Sequence, residues 1–189
     1  MKTLGWNEEI KKYLGGCGEN VKIAHNVMFT QPENVFLGDN VRIDPFTLIT
    51  CKLRTGNNVQ ITAYSMLGGK DQWVTMGDWT FIGYGSKLFT ASEDYGGDYG
   101  PVNEYWGNGR TFKGDIKLNN FSGVASDVMV FPNVHLPEGC CIGAKSLVHT
   151  KSKLEKYKVY VGNPLRHFKD RNKENILRLS KDSDFLKEN

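Results

Sequence analysis

The chain has 189 residues, of which 39% are hydrophobic and 24% charged, an ordinary composition for one globular domain with a sizeable core. The formal net charge of +3 is small and no long basic run occurs, which argues against a nucleic-acid-binding protein. No stretch approaches the roughly 18 apolar residues of a transmembrane helix, and the N-terminus lacks the apolar segment of a signal peptide. We therefore expect a cytosolic protein that does not insert into a membrane.

The cysteines fit the same compartment. None of them shows the C-x-x-C spacing of a metal or redox motif, so we expect reduced thiols and predict no metal site. The 4 cysteines are Cys17, Cys51, Cys140 and Cys141.

Residues 1–20 are predicted to form an N-terminal cap segment. Residues 6–14 within it have the pattern of a short helix that covers the first unit of the main fold.

From residue 21 to residue 161 apolar residues recur every six positions. The spacing slips by two residues before Leu37 and by three before Met76, and Thr55 stands in for an apolar residue. Neither an amphipathic helix nor a hairpin strand produces a six-residue period. The repeat positions are Ile23, Phe29, Leu37, Ile43, Ile49, Thr55, Ile61, Leu67, Met76, Ile82, Leu88, Leu118, Val124, Val130, Leu136, Ile142 and Val148.

A period of six fits one short strand followed by one corner. Three such sides close a triangular coil, and successive coils stack at about 4.8 Å, the spacing between hydrogen-bonded strands. The repeat residue then points inward and stacks on its equivalents in neighbouring coils. The alternative is a β-sandwich, but its strands recur at about 8–12 residues with variable turns. We predict an all-β protein, a parallel β-helix of between five and six coils.

The repeat is interrupted by a loop at residues 90–115. No repeat position occurs between Leu88 and Leu118, and the segment is rich in glycine, acidic and aromatic residues. Long loops inside compact repeats commonly carry function. We therefore predict that this loop is part of a functional site.

Residues 162–189 are predicted to form a C-terminal helical tail. A Gly162-Asn163-Pro164 turn precedes it, and its apolar residues are spread among many charged ones. This pattern indicates one or two amphipathic helices, packed on the outside of the coil or on a neighbouring chain.

The repeats, the segment VHLPEGCCIGAKSLVHTK and the segment YVGNPLRHFKDR resemble the hexapeptide-repeat acyltransferases. The resemblance covers about residues 20–171 and is greatest to the galactoside and maltose O-acetyltransferase branch. It includes a G-x-P-x-[KR] element at Gly162, Pro164 and Arg166. It implies a left-handed β-helix, a homotrimer with active sites between subunits, and acetyl-CoA as co-substrate.

The resemblance also implies a catalytic histidine at the start of the loop, but Glu93 occupies that position here. Three interpretations remain open. Glu93, or Asp94 beside it, is the base that activates a sugar hydroxyl, with its pKa raised by partial burial. Alternatively the acceptor is an amine, which attacks once it has lost its ammonium proton, even to water. In the third interpretation both acids are solvated loop residues.

The residues themselves suggest further candidates at His135 and in the loop, and the resemblance implies a donor site after the loop. His135 is expected to point outward, where it is either a catalytic residue facing a neighbour's cleft or plain surface. Aromatic loop residues offer a flat apolar face for a sugar, or they anchor the loop on an adjacent subunit; they are Tyr95, Tyr99, Tyr105 and Trp106. Small residues after the loop would admit the pantetheine arm, and cations would meet the CoA phosphates unless they are ordinary surface. These donor-site residues are Ser122, Gly123, Ala125, Gly143, Ala144, Lys145, Lys151, Lys153 and Arg166.

We predict an acetyl-CoA-dependent acetyltransferase that acts on a saccharide hydroxyl as a homotrimer in the cytosol. The second hypothesis is N-acetylation of a nucleotide-linked amino sugar. The third is a non-catalytic β-helix that scaffolds an assembly.

Overall fold

The structure, a computed structural model, describes residues 5–93 and 111–181. These residues form a parallel β-helix of about six triangular coils, as the six-residue repeat predicts. We call its three sides faces 1, 2 and 3. Corner 1 joins face 1 to face 2, corner 2 joins face 2 to face 3, and corner 3 joins face 3 to the next coil.

The strands are numbered in chain order. Face 1 contains β1 (Gly16–Cys17), β4 (Val35–Leu37), β7 (Lys52–Thr55), β10 (Trp73–Met76), β15 (Ile116–Leu118) and β18 (His135–Leu136). Face 2 contains β2 (Lys22–Ile23), β5 (Arg42–Ile43), β8 (Gln60–Ile61), β11 (Phe81–Ile82), β16 (Gly123–Val124), β19 (Cys141–Ile142), β21 (Lys158–Val161) and β22 (Arg166–Asp170). Face 3 contains β3 (Met28–Phe29), β6 (Leu48–Ile49), β9 (Met66–Gly68), β12 (Lys87–Phe89), β17 (Met129–Val130) and β20 (Leu147–Val148).

The core is a set of stacked repeat residues. Ile43 pairs in register with Ile23 and Ile61, and Ile82 continues the same column. Every repeat position is buried except Phe29, which is half-buried and packs against the core. Fully burying an aliphatic side chain stabilises a fold by about 1.5–3 kcal/mol, so these columns hold the coils together.

Corner 1 is held by a ladder of acidic and amide side chains that the sequence interpretation missed. Oδ1 of Asp39 accepts a hydrogen bond of 2.8 Å from the N–H of Glu19 in the coil before it. The same contact recurs from coil to coil, with Asn57, Asp78 and Asn120 as the acceptors. In the sequence this ladder is marked by an Asp or Asn two positions after the repeat residue, as in Asp39 after Leu37 and Asp78 after Met76.

Both ends of the coil are covered. At the N-terminal end Trp6 forms an antiparallel bridge with Ala24, and a 3₁₀ helix spans Glu9–Tyr13. A second 3₁₀ helix, Pro32–Asn34, fills corner 3 of the first coil. At the C-terminal end β22 turns back and pairs antiparallel with β21, and the helix α1 (Lys173–Leu179) follows. No helix in the described part of the chain is long and apolar enough to cross a membrane.

These ends differ in detail from the expected boundaries. The coil begins with β1, which pairs with β4, inside the expected cap segment. The expected helical tail starts with a strand, because the turn at residues 162–165 sends the chain back along β21.

Candidate active site

The loop leaves and rejoins the coil at corner 3 through a short antiparallel stem. The stem strands are β13 (Ala91–Glu93) and β14 (Thr111–Lys113), with Ser92 opposite Phe112 and Glu93 opposite Thr111. Glu93 is half-buried at the end of this stem. The sequence-predicted residues Asp94, Tyr95, Tyr99, Tyr105 and Trp106 lie outside the described residues.

The base of the stem is tied to the third and fourth coils. The buried Thr90 donates from its N–H and from Oγ1 to the Gly68 carbonyl, at 2.7 and 2.9 Å. The N–H of Trp73 donates to Oδ1 of Asp115 at 2.8 Å. These contacts hold Glu93 at a defined place on corner 3, because it is three residues from a fixed anchor at Thr90.

Five of the nine predicted donor-site residues lie at or beside corner 2, which we call the donor corner. The N–H of Ala125 donates to Ile142 at 2.8 Å, and the N–H of Lys145 donates to Ser126 at 3.0 Å. Ala125 therefore lies one coil below Gly143, Ala144 and Lys145. Ala144 and Lys145 are exposed, so the corner offers small side chains and a cation to solvent.

Gly143 belongs to this corner for a steric reason. A Cβ at this position would lie 2.6 Å from Cγ1 of Val161 in the next coil. Val161 in turn pairs with Arg166 of β22, which brings the guanidinium-bearing residue to the same end of corner 2. Packing against Val161 thus explains why position 143 is a glycine. Ala144 is the small residue of this corner whose side chain is exposed.

Ser122 and Gly123 lie elsewhere, between corner 1 and face 2. The Ser122 hydroxyl is buried and donates to the Asn119 carbonyl within its own turn. Gly123 lies under the Phe81 ring, which a Cβ would overlap. The structure accounts for both residues by local packing and does not bring them to the donor corner.

Lys151 and Lys153 lie on the chain that crosses corner 3 after β20, and both side chains are exposed. They follow the last coil on the same edge that carries the loop stem in the fourth coil. The predicted cations are therefore divided between two edges, with Lys145 and Arg166 at corner 2 and the other two at corner 3.

His135 points outward from β18, as expected. It lines a groove of about 540 Å³ together with Asn119, Asn120, Pro137, Glu138 and Lys156. The groove faces corner 1, so the structure does not bring His135 to the donor corner.

Sequence reasoning missed an aromatic patch at corner 2. The exposed rings of Phe46 and Tyr64 stack with centroids 5.1 Å apart and planes inclined by 12°. Tyr84 is exposed one coil further along the same corner. The signal was an aromatic residue three positions after Ile43 and after Ile61.

The buried cysteines do not contribute a nucleophile. Burial raises the pKa of Cys51 and of Cys140 to about 12, so neither thiol ionises near neutral pH. The described residues contain no group of three or more His, Cys, Asp or Glu side chains that could hold a metal ion.

The loop stem and the donor corner are at opposite ends of face 3. Six residues separate corresponding positions on neighbouring corners, which is roughly 20 Å at 3.3 Å per residue. One chain therefore carries two candidate half-sites on different edges of the coil: the loop stem at corner 3 and the predicted donor-site residues at corner 2.

Comparison with known proteins connects this architecture to chemistry. No protein-family profile matches the chain. A dTDP-4-amino-4,6-dideoxy-D-glucose acyltransferase of Escherichia coli is 32% identical over 181 residues, which cover 90% of this chain and 91% of that protein. The chain belongs to the hexapeptide-repeat acyltransferases. It is a CoA-dependent acyltransferase.

Solved structures agree with this assignment. AntD, an N-acyltransferase from Bacillus cereus in complex with dTDP and 3-hydroxybutyryl-CoA, matches with a TM-score of 0.85 and 30% identity. The match covers 100% of this acyltransferase and 98% of AntD. A galactoside acetyltransferase in complex with coenzyme A matches with a TM-score of 0.55 and 23% identity over 88% of this chain and 70% of that one. That second likeness concerns the β-helix fold alone.

Proposed function

We propose that this acyltransferase moves an acyl group from acyl-CoA to the amine of a dTDP-linked 4-amino-4,6-dideoxy sugar. The observation that carries the proposal is the full-length similarity to a dTDP-4-amino-4,6-dideoxy-D-glucose acyltransferase. A variant of AntD in complex with dTDP-4-amino-4,6-dideoxyglucose and coenzyme A matches with a TM-score of 0.87 at 30% identity. Both findings favour the amino-sugar hypothesis over the saccharide hydroxyl that the sequence interpretation put first.

The glutamate at the loop start fits an amine acceptor. A sugar hydroxyl attacks a thioester well only while a base removes its proton, and a neutral imidazole is suited to that task near pH 7. A neutral amine attacks without prior deprotonation and must lose a proton only after the C–N bond begins to form. Replacement of the histidine by Glu93 is therefore less damaging to amide formation than to ester formation.

The reaction forms one C–N bond and breaks one C–S bond. The neutral amine of the sugar attacks the thioester carbonyl carbon and gives a tetrahedral intermediate. That intermediate expels the CoA thiolate as the amine loses one proton, and the thiolate takes up a proton to give free CoA. The products are an N-acylated sugar nucleotide and CoA.

We assign Glu93 the role of proton acceptor for the attacking amine. Its carboxylate belongs to the end of a two-stranded stem, where Glu93 pairs with Thr111, and the base of the stem is fixed by Thr90. A group held in this way can remain within reach of the amine through the reaction, which is what general base catalysis requires.

The donor-binding role is assigned to corner 2 and the acceptor-binding role to the loop at corner 3. Because these edges lie on opposite ends of face 3, we propose that a neighbouring copy supplies the second half of each site. A homotrimer with cyclic symmetry gives three equivalent sites of this kind. The four unpaired cysteines fit the reducing cytosol expected for an enzyme that draws on CoA.

A panel of acceptors tests the proposal. Free CoA thiol is measured with acetyl-CoA and 3-hydroxybutyryl-CoA as donors and with dTDP-4-amino-4,6-dideoxyglucose, dTDP-glucose or a simple galactoside as acceptor. We expect turnover with the amino sugar nucleotide and none with the other two. Turnover with dTDP-glucose or the galactoside alone would restore the hydroxyl hypothesis, and no thiol release with any acceptor would support the scaffold hypothesis.

The role of Glu93 is tested with Glu93→Gln, and Glu33→Gln serves as a control at an exposed glutamate in corner 3 of the first coil, three coils from the loop stem. We expect the Glu93 variant to lose about 10²-fold or more in kcat near neutral pH, the usual contribution of a positioned base. The loss should shrink as pH rises, because hydroxide and a larger fraction of free amine replace the base. An unchanged kcat would show that Glu93 is an ordinary loop residue.

A further inference from the structure

A groove of about 600 Å³ runs along corner 1 of the first four coils, away from both half-sites. It crosses the coils parallel to the axis of the β-helix. Its walls are amide, cationic and indole side chains, and no carboxylate lines it. The lining side chains include Trp6, Lys22, Asn40, Arg42, Asn58 and Trp79.

The floor of the groove is a ladder of asparagine amides. Nδ2 of Asn20 donates to Oδ1 of Asn40 at 2.9 Å, and Nδ2 of Asn40 donates to Oδ1 of Asn58 at 3.1 Å. The side-chain amide nitrogen of Asn58 donates no hydrogen bond within residues 5–93 and 111–181, and Trp79 occupies the equivalent position in the next coil. The ladder therefore places one side-chain amide in each coil at a fixed orientation. Its last member, Asn58, has a side-chain amide N–H that donates to no described residue.

Trp79 occupies a backbone position that does not favour it. Its φ is 59°, the left-handed region that the asparagines below it also adopt, at 52°, 55° and 57°. Asparagine reaches this region readily, whereas a bulky side chain is disfavoured there. The Trp79 indole lies at the end of the groove, at a position whose backbone conformation asparagine adopts more easily.

The cations of the groove are held in place. Nε of Arg42 donates to Oδ1 of Asp44 at 2.6 Å, and the Asp44 side chain is only 3% exposed. The Arg42 guanidinium also lies 5.7 Å from the centroid of the Trp6 ring. Lys22 forms no ion pair with any described residue, so its charge is available to a ligand.

Part of corner 1 above Trp79 is covered by Arg171. Nη1 of Arg171 donates to the carbonyls of Phe121 and Gly139, both at 2.7 Å. The lower half, where the groove lies, has no such cover among the described residues. Arg171 therefore covers part of this edge above Trp79, whereas the groove below Trp79 is open.

We propose that the corner 1 groove binds a linear acidic oligosaccharide. The amides recur once per coil, about 4.8 Å apart, a distance comparable to the length of one pyranose unit, so each coil can meet the hydroxyls of one sugar. The indole faces of Trp6 and Trp79 suit the apolar faces of the terminal rings. Lys22 and Arg42 are the charged side chains of the lining and attract carboxylates.

The full-length protein is titrated in a calorimeter with a tetrasaccharide of galacturonic acid and with a tetrasaccharide of galactose. The two probes differ in the acidic group at each sugar. We expect the acidic probe to bind more tightly and its affinity to fall as salt is raised. Equal binding of the two probes, or binding of neither, overturns the proposal.

Substitutions locate the site. Trp79→Asn restores the side chain that the corner uses in other coils, so it should fold, and it should weaken binding of the acidic probe about tenfold, or 1.4 kcal/mol. Lys22→Gln should also weaken binding of the acidic probe, whereas the control Lys117→Gln on face 1 should not. Thiol release by the acyltransferase should be unchanged in all three variants. Unaltered binding in Trp79→Asn, or competition of the probe with dTDP, would contradict a separate saccharide site in this groove.

Discussion

Subunit complementation tests the proposal that each active site is built from two chains. Two variants are needed, one that damages the loop and one that damages the donor corner. Neither variant alone has an intact site, but a mixed assembly can combine the intact loop of one chain with the intact corner of its neighbour.

The loop variant replaces residues 94–110 by a two-residue Asn-Gly turn. β13 and β14 pair antiparallel with Glu93 opposite Thr111, and an Asn-Gly turn is the preferred two-residue connection for such a pair. The corner variant is Ala144→Trp, which places an indole where the pantetheine arm is expected. Ala144 is exposed, so the added bulk should leave the fold intact. His25→Trp is its control, since His25 is also exposed and occupies the same corner position in the first coil.

The expected recovery follows from symmetry. When the two variants are mixed in equal amounts and assort at random, an intact loop and an intact corner meet with probability one half times one half. About a quarter of the native activity per chain should therefore return in a cyclic assembly. The variants are co-refolded or co-expressed, CoA thiol release is measured, and the assembly should have about three times the 21.3 kDa mass of one chain.

Two results would refute the reasoning. If mixing restores no activity although mixed assemblies are isolated, the loop and the corner of one chain form the site together. If Ala144→Trp retains native activity and native affinity for CoA, corner 2 is not the donor site. The His25→Trp control should behave as the native protein in every assay.

Two predictions concern the stability of the scaffold. Leu118→Ala removes a fully buried repeat side chain and should lower the free energy of unfolding by about 2–5 kcal/mol in a denaturant titration, whereas Lys117→Ala, its exposed neighbour, should change it by less than about 0.5 kcal/mol. Equal effects would contradict the inward direction of the repeat residue. The Tyr157 hydroxyl donates to Glu138 at 2.7 Å and holds the pKa of that carboxyl below its usual value. Stability from this contact is present above the usual carboxyl pKa and is lost as pH falls through the lowered value. Glu138→Gln should therefore reduce the difference in Tm between pH 7 and pH 3, and an undiminished difference would contradict that linkage.

The fold could be predicted from the sequence because its period is a consequence of geometry. Each repeat residue faces one axis, so an apolar side chain is required at every sixth position, as Ile43, Ile61 and Ile82 illustrate. The ends were harder to predict because they belong to no repeat. All five residues of β22 are exposed, so its sequence shows no alternation of apolar and polar positions. The sequence pattern therefore indicated a polar helix at this strand.

The sequence predicts where some of the candidate site residues lie in the coil, and the reason is similar. Ala144 and Lys145 could be recognised as corner residues by their offset from Ile142. Gly123 could not be separated from them, because a small residue required by packing under Phe81 looks the same in sequence as one required by a cofactor. The ladder of Asp39 and its equivalents was visible as a spacing, but its hydrogen bonds connect different coils and become apparent only when the coils are stacked.

The long loop interrupts the chain without interrupting the solenoid. Val74 of the fourth coil pairs directly with Ile116 of the fifth, and Met76 pairs with Leu118, so the inner column continues in register across the insertion. Oδ1 of Asn120 accepts a hydrogen bond of 3.0 Å from the N–H of Asp78, so the corner 1 ladder also continues from the fourth coil to the fifth. Since the coils already contact each other on both sides of the stem, the insertion costs little beyond loop-closure entropy, which rises by only about 0.6 kcal/mol per doubling of length. A repeat architecture can therefore carry a functional loop of almost any length at a corner, and the loop-shortened variant should unfold at a temperature no lower than that of the native protein.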